Sequence, residues 1–320
     1  MNSAFRNIVE LVREHARARP DQPALVQGDS VLSYGALDAL MDRVAAALQR
    51  DGVQPGAAIA LCGATTPMQA ALFLGALRAG VAVAPLAPSV TPDTFESMLS
   101  DAQATLLFVD TSAAALVPDA AQPRCIALDA GAPGQALEAW LAQPGAVPAD
   151  VAVRPEAPFN IIYSSGTTGT PKGIVQPHGM RWAHVMRGAK YGYGPDTVTL
   201  LATPLYSNTT LVVFLPTIAF GGTVLLMAKF DAARYLDLAQ QHHATHTMLV
   251  PVQYQRILAL PDFSAHDLAS FGFKFSTSAP FAAALKRDVL AVRVHGVSRL
   301  TAHRLPTGFV GGLEVFVASY

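Results

Sequence analysis

Residues 163–173 are Tyr-Ser-Ser-Gly-Thr-Thr-Gly-Thr-Pro-Lys-Gly, and they continue directly from the apolar, strand-like run 159–163. Glycines let a backbone approach a bulky anion closely and turn its N–H groups toward that anion. The serine and threonine hydroxyls add rotatable donors, and Lys172 adds a mobile positive charge. The segment therefore predicts a polyphosphate-binding loop between two strands, because the β-prone residues Ile174 and Val175 follow it.

Two other interpretations of this segment fit its residues less well. A Walker A loop requires the ending G-K-[ST], which is missing because Pro171 precedes Lys172 and Gly173 follows it. A flexible Ser/Gly/Thr linker does not account for a single lysine and proline placed between two β-prone segments. A phosphate loop of a type other than Walker A remains the favoured interpretation.

The loop sequence resembles the phosphate-loop signature of the adenylate-forming (AMP-binding) enzymes, which include acyl- and aryl-CoA synthetases, peptide-synthetase adenylation domains and luciferases. Three more stretches resemble elements of that family in the family's order. They are the helix–glycine–strand run 74–88, the motif Thr203-Pro204-Leu205-Tyr206, and Ser278-Ala279-Pro280. The match covers about residues 5–286 and is most like the N-terminal domain of the AMP-forming acyl- and aryl-CoA synthetases.

The resemblance implies an acid–thiol ligase that activates a carboxylic acid, either aromatic or medium- to long-chain. A carboxylate is a poor electrophile, and attack on the α-phosphorus of ATP converts it to an acyl-adenylate, which then yields acyl-CoA. ATP, Mg²⁺ carried on its phosphates, and CoA are therefore implied. The implied nucleotide-binding residues are Ser164, Ser165, Gly166, Thr167, Thr168, Gly169 and Lys172 in the loop, and Ser278, Ala279 and Pro280 beside the adenine.

The same resemblance implies an apolar acyl pocket between the helix after residue 206 and the stretch 248–254. The implied pocket residues are Tyr206, Ser207, Asn208 and Tyr254, with Phe214 and Phe275 as further candidate walls. CoA ligases of the family commonly carry a histidine directly after the tyrosine, and Ser207 stands there in this chain. His178 matches a helix-start histidine of the family, and both a packing role and a site role are open for it.

The tail 287–320 departs from the family's pattern. The resemblance implies a Thr-Glu run for Mg²⁺, a ribose-binding aspartate and a C-terminal lysine, and the tail contains none of them. We therefore expect a truncated or disrupted, poorly active ligase that lacks the C-terminal lid domain, and we assign no catalytic residue. Two alternatives stay open: a non-catalytic remnant that binds nucleotide or acid, and, less favoured, a peptide-synthetase adenylation module.

Composition and charge exclude several other classes of protein. The 320 residues are 51% hydrophobic with a net charge of −1, so no basic surface is expected to bind nucleic acid. The N-terminus lacks a signal-peptide pattern, and the uncharged run 211–228 is broken by proline and glycine, so no membrane span is predicted. The two cysteines are typical of reduced thiols in a cytoplasmic protein. The histidine cluster 242–246 is favoured as a helix end over a metal site.

Short apolar runs alternate with helical patterns along the chain, which predicts an α/β fold of layered parallel sheets flanked by helices in two subdomains. We divide the chain into an N-terminal subdomain (1–128), a connection (129–152), a phosphate-loop and acyl-pocket subdomain (153–286) and an atypical tail (287–320). A helix is expected from Pro67 to Arg78, ended by Gly80, and Asp231 is expected to cap another. The predicted strands are 57–62, 81–85, 106–109, 159–163, 197–201, 223–227, 247–250 and 271–276.

Overall fold

The computed structural model describes residues 4–117, 123–164, 171–276 and 282–291. The helices in these ranges are α1 (Ile8–Ala18), α2 (Tyr34–Arg50), α3 (Pro67–Arg78), α4 (Pro92–Ala102), α5 (Leu137–Trp140), α6 (His178–Gly188), α7 (Asn208–Ala219), α8 (Ala232–Gln241), α9 (Pro251–Leu258) and α10 (Ala283–Ala291). Short 3₁₀ turns occupy Thr111–Leu116, Ala189–Tyr191 and Phe263–Ala265.

The strands are β1 (Pro23–Gln27), β2 (Ser30–Ser33), β3 (Ala58–Cys62), β4 (Ala82–Leu86), β5 (Ala104–Val109), β6 (Arg124–Ala127), β7 (Gln135–Ala136), β8 (Pro158–Ser164), β9 (Lys172–Pro177), β10 (Val198–Leu201), β11 (Thr223–Leu226), β12 (His246–Leu249) and β13 (Phe273–Ser276). Each predicted strand is present within one or two residues of its expected bounds. The predicted α/β class is confirmed, because helices alternate with these strands along the chain. Apolar runs of this length are typical of strands that are buried on both faces.

The described strands form two sheets. One has the order β13-β12-β10-β11-β1-β2, and the other has the order β7-β6-β5-β3-β4-β8-β9. The pairs are parallel except at one edge of each sheet, where β2 runs antiparallel to β1 and β9 runs antiparallel to β8. The predicted layers of parallel strands are thus present, and each sheet adds one antiparallel edge strand that pairs with the strand preceding it in the chain.

The main hydrophobic core lies between the two sheets and contains residues of α1, α2, α3 and α7. It includes Leu201 and Val224 on one sheet and Ile59 and Phe108 on the other. The opposite face of the six-stranded sheet packs against α8, α9 and α10, and that of the seven-stranded sheet packs against α4. Burial on both faces explains why the strands of both sheets are so continuously apolar.

The helix boundaries follow local signals in the sequence. Helix α3 begins at Pro67, where the Thr66 side chain accepts a hydrogen bond from the Gln69 amide at 3.1 Å. Gly80 follows the helix with φ +71°, a conformation that favours glycine. The Asp231 carboxylate accepts from the Arg234 amide at 2.8 Å and caps α8 as predicted.

The uncharged run 211–228 is a helix, a turn and a strand, as predicted. It comprises most of α7 and all of β11, which lies between β10 and β1 inside the sheet. Across the residues that the structure describes, no helix combines the length and apolar character needed to span a bilayer. Cys62 and Cys125 are both free thiols, and burial raises the pKa of each.

The predicted boundary between subdomains does not coincide with the division between the sheets. Strands β1 and β2 join β10 to β13, and strands β8 and β9 join β3 to β7. Each sheet therefore contains strands from both predicted subdomains. Because the main core lies between the sheets, residues from both halves of the chain pack together in one apolar core.

The predicted connection 129–152 is more integrated into the fold than expected for a surface linker. It contributes β7 at a sheet edge, followed by the short helix α5. Trp140 of α5 is completely buried, with its ring edge-on to Phe108 at 4.9 Å between centroids. Its indole Nε1 donates to the Asp51 carboxylate at 2.8 Å, so the segment is packed onto the N-terminal half of the chain.

Replacing Gly75 of α3 with alanine should lower the free energy of unfolding by about 1–3 kcal/mol, as overpacking of a core does. A Cβ at this position would lie 2.6 Å from Cβ of Val44 on α2. That overlap outweighs the gain of about 1 kcal/mol in helix propensity. Urea denaturation measures the change, and Gly194→Ala is the control because no heavy atom lies within 4 Å of a Cβ there. Unchanged stability of Gly75→Ala would show that α2 and α3 can separate without cost.

Candidate functional site

The predicted phosphate segment connects two adjacent antiparallel strands. Strand β8 ends at Ser164 and β9 begins at Lys172, and these two residues are register partners. Both flanking strands are thus confirmed, and the Lys172 side chain is exposed beside the connection. Ser165, Gly166, Thr167, Thr168 and Gly169 lie outside the described residues, as do Ser278, Ala279 and Pro280.

Helix α4 packs against the end of this hairpin through polar contacts. The Tyr163 hydroxyl is 2.7 Å from a carboxylate oxygen of Asp101 and 2.9 Å from the Met98 carbonyl oxygen. Burial, followed by the Asp101 carboxylate, raises the pKa of Tyr163, so it donates as a neutral phenol. A Cβ at Gly173 would lie 2.5 Å from Asp101 Oδ2. A larger residue there would therefore require the exposed Asp101 side chain to shift, and that side chain contacts Tyr163.

The predicted pocket motif forms a tight turn that leads into α7. The Ser207 amide donates to the Pro204 carbonyl oxygen at 3.0 Å, and the Leu205 amide donates to Thr65 Oγ1 at 3.1 Å. The second contact attaches the turn to the residue just before α3. Tyr206, Ser207 and Asn208 are all half-buried at the N-terminus of α7, where side chains are partly accessible.

The candidate pocket walls are not all brought together. Phe214 and Phe275 belong to the core between the sheets, whereas the Tyr254 ring packs with the residues of α8 and α10 on the other face of the six-stranded sheet. The Tyr254 hydroxyl reaches the sheet and donates to the Phe275 carbonyl oxygen at 2.8 Å. The prediction that Tyr254 shares a cavity with Phe214 and Phe275 is corrected, because α9 covers the outer face of that sheet.

Sequence reasoning missed a buried arginine beside the predicted pocket. Arg181 of α6 is completely buried, and its Nε and Nη1 donate to the amide oxygens of Asn160 and Asn208, each at 2.9 Å. Its Nη2 donates to the amide oxygen of Gln176. Its guanidinium carbon lies 6.0 Å from the centroid of the Phe159 ring. The only feature of the sequence that could have indicated a buried arginine is its place in the apolar stripe of α6, three residues after His178.

The charge of Arg181 has no carboxylate partner among the described residues, because all three of its hydrogen-bond acceptors are neutral amides. Burial lowers its pKa to about 9, so the side chain is still charged at neutral pH. Among the described residues, the guanidinium beside Asn208 therefore carries a positive charge with no carboxylate in hydrogen-bond contact.

The histidines behave mostly as structural residues. His178 opens α6 as predicted, and its ring packs edge-on against Phe159 at 4.9 Å between centroids. That packing favours the structural interpretation of His178. His242 ends α8 while His246 lies in β12, so the two do not share a helix. No cluster of three potential metal-ligating side chains occurs in the part of the chain that the structure describes.

The chain belongs to the AMP-binding enzyme family, whose profile matches residues 12–299. Indoleacetate–CoA ligase of Aromatoleum aromaticum is 33% identical over 273 residues, which are 82% of this chain and 53% of the ligase. Tyrocidine synthase 3 of Brevibacillus parabrevis is 32% identical over 79% of this chain and 4% of its own length. The present chain thus spans about half the length of the CoA ligase.

The same fold occurs in solved structures. A fatty acyl CoA synthetase of Mycobacterium tuberculosis superimposes with a TM-score of 0.80 at 23% identity, over 89% of this chain and 57% of that one. A likeness at this level of identity establishes the arrangement of sheets and helices. It does not by itself assign a substrate.

Proposed function

We propose that this chain carries the acid- and nucleotide-binding part of an AMP-forming carboxylate–CoA ligase. The observation that carries the proposal is the hairpin of β8 and β9, which bears the phosphate-loop sequence in a chain of the AMP-binding family. In the reaction, a carboxylate oxygen of the acid attacks the α-phosphorus of ATP and pyrophosphate leaves. The CoA thiol then attacks the acyl carbon, and AMP leaves.

The loop residues contribute by positioning the nucleotide. Ser164, Ser165, Thr167 and Thr168 donate hydroxyl hydrogen bonds to the phosphates, with the backbone N–H groups of Gly166 and Gly169 beside them. Lys172 neutralises charge on the phosphates, and Mg²⁺ bound to ATP supplies further neutralisation. The remaining proposed nucleotide contacts, beside the adenine, are Ser278, Ala279 and Pro280.

An aromatic or fatty acid is favoured as the substrate over an amino acid. The similarity to an indoleacetate–CoA ligase supports an aryl acid, while that to tyrocidine synthase 3 keeps the peptide-synthetase alternative open. An amino acid brings an ammonium group, which a buried site accepts only next to an anion. Tyr206, Ser207 and Asn208 supply no carboxylate, and the charge of Arg181 beside Asn208 would repel an ammonium.

Replacing Lys172 with alanine should weaken MgATP binding by up to about 1.5–3 kcal/mol, the contribution of a charge-assisted phosphate hydrogen bond. Because Lys172 is exposed, solvent screening will place the loss toward the lower end of that range. Titration calorimetry measures the change. Lys190→Ala is the matched control, since it removes an exposed lysine from the far end of α6. Equal affinities for all three proteins would argue against contact between Lys172 and phosphate.

Hydroxamate trapping tests the proposed activity directly. The purified protein is incubated with MgATP, hydroxylamine and a panel of aromatic and fatty acids. Only slow acid-dependent hydroxamate formation is expected, in line with the poorly active ligase that the sequence predicts. Binding of MgATP and acid without hydroxamate would favour the alternative of a non-catalytic binding protein. Absence of both binding and turnover would overturn the proposal.

A further inference from the structure

The amide of Asn208 is held in one orientation by Arg181. The Asn208 Oδ1 accepts from Nη1 of the arginine at 2.9 Å, and an arginine has no acceptor with which the flipped amide could pair. The Nδ2 of Asn208 must therefore point away from the guanidinium. Asn208 is half-buried and Arg181 is completely buried, so Asn208 is the member of this pair that is partly accessible.

Two further side chains fix the position of Arg181. Asn160 of β8 and Gln176 of β9 bind its other nitrogens, and both side chains are buried. The Nδ2 atom of Asn160 has no hydrogen-bond partner, although the residue is completely buried. The cluster formed by Arg181, Asn160, Gln176 and Asn208 thus offers donors and positive charge without a matching anion.

The cluster lies well away from the phosphate end of the hairpin. Asn160 precedes Ser164 by four residues and Gln176 follows Lys172 by four, and a strand advances about 3.3 Å per residue. The guanidinium is therefore roughly 13 Å from the loop end of the hairpin. A reacting carboxylate must lie close to the phosphates, so any group of the acid that reaches the cluster would lie at the end remote from that carboxylate.

We infer that Asn208, oriented and polarised by Arg181, selects acids that carry a second oxyanion, such as a second carboxylate, at the end remote from the reacting group. The inference rests on the proposed function and names the substrate class of that site. Arg181 is a positioning residue, since its complete burial keeps it from touching the acid. Its charge strengthens the N–H donor of Asn208 and offsets part of the cost of desolvating an anion.

Three acids of nearly the same shape provide the test. They are benzoates with a para carboxylate, a para acetyl group or a para isopropenyl group, which present an anionic acceptor, a neutral acceptor and no acceptor. Calorimetry is carried out on the whole chain with α,β-methylene-ATP, which blocks transfer at the α-phosphorus. The para carboxylate should bind at least about tenfold more tightly than the isopropenyl analogue, with the acetyl compound between them.

Two variants of Asn208 and one of Arg181 test whether these residues cause the preference for the para carboxylate. Asn208→Asp replaces the donor by an acceptor and neutralises Arg181, so the preference should disappear or reverse. It should fold well, because an acidic side chain is favourable in the first turn of α7. Asn208→Leu should remove the preference for the para carboxylate and still bind the isopropenyl compound. Arg181→Met should reduce the preference, and MgATP affinity should stay unchanged in all three variants.

The outcomes separate this inference from the proposed function. Equal binding of the three acids by the unmodified protein, or an unchanged preference in Asn208→Asp, would overturn the inference and leave the proposed function intact. MgATP binding without binding of any acid would contradict the proposed acid-activating function, and it would contradict the inference as well. An unchanged preference in a folded Arg181→Met protein would exclude the role given to the arginine.

Discussion

Replacing Arg78 with leucine should lower the free energy of unfolding by about 3–5 kcal/mol, the cost of removing one partner from a buried ion pair. The Arg78 side chain on α3 is only 4% exposed, and its Nη1 lies 2.8 Å from the Asp42 carboxylate. The same guanidinium contacts the carboxylate of Asp38 and the backbone oxygens of Asp38 and Val9. These contacts join α1, α2 and α3 within the main core.

Urea denaturation of matched variants checks this expectation. Arg6→Ala is the control, because the Arg6–Glu14 pair is about half exposed and should contribute about 0–1 kcal/mol. In Arg78→Leu, Arg13 alone faces the two carboxylates of Asp38 and Asp42. Adding Asp42→Asn removes the excess negative charge and should recover part of the loss. A loss for Arg78→Leu no larger than that for Arg6→Ala would show that the network does not stabilise the packing of these helices.

Acidification from pH 7.5 to pH 5 should remove about 4 kcal/mol of stability through two buried histidines. His178 and His246 are 2% and 3% exposed, and burial lowers the pKa of each from 6.5 to about 4. The unfolded chain binds protons below pH 6.5, whereas the folded protein does not until about pH 4. Stability therefore falls as the pH drops through this window, by about 2 kcal/mol for each histidine at pH 5.

Replacing one of these histidines isolates its contribution to the loss of stability on acidification. His178→Phe keeps a ring against Phe159 and removes the titrating group. Between pH 7.5 and pH 5, the free energy of unfolding of this variant should therefore fall by about 2 kcal/mol less than that of the unmodified protein. An identical pH dependence for His178→Phe would mean that His178 is not held neutral by burial.

Local signals in the sequence predicted most elements of secondary structure. Pro67 and Gly80 marked the two ends of α3, and Asp231 marked the start of α8. These features depend on backbone geometry and on hydrogen bonds between residues three or four positions apart. Such interactions can be recognised from neighbouring residues alone. The phosphate segment was found in the same way, because glycines, hydroxyls and a lysine follow one another directly.

The predicted site was recovered only in part. The sequence predicted the strands on both sides of the phosphate loop. Its assignment of Tyr206, Ser207 and Asn208 to the acyl pocket stays a prediction, and the structure shows these residues half-buried at the start of α7. It placed Tyr254 in the wrong location and gave no role to Arg181. Both errors concern which face of an element contacts which neighbour, and that depends on residues far apart in the chain.

The sequence by itself determined the alternation of strands and helices, the main helix ends and the loop chemistry, because these arise from short-range backbone preferences and hydrogen bonds. Only the tertiary structure decided that β1 pairs with β11, so that β1 and β2 join the sheet of the second half of the chain, and that Trp140 is buried against Phe108. It also decided that Arg181 lies among three amide side chains from β8, β9 and α7. The physical reason is that burial and strand pairing are set by contacts through space, which no local pattern encodes.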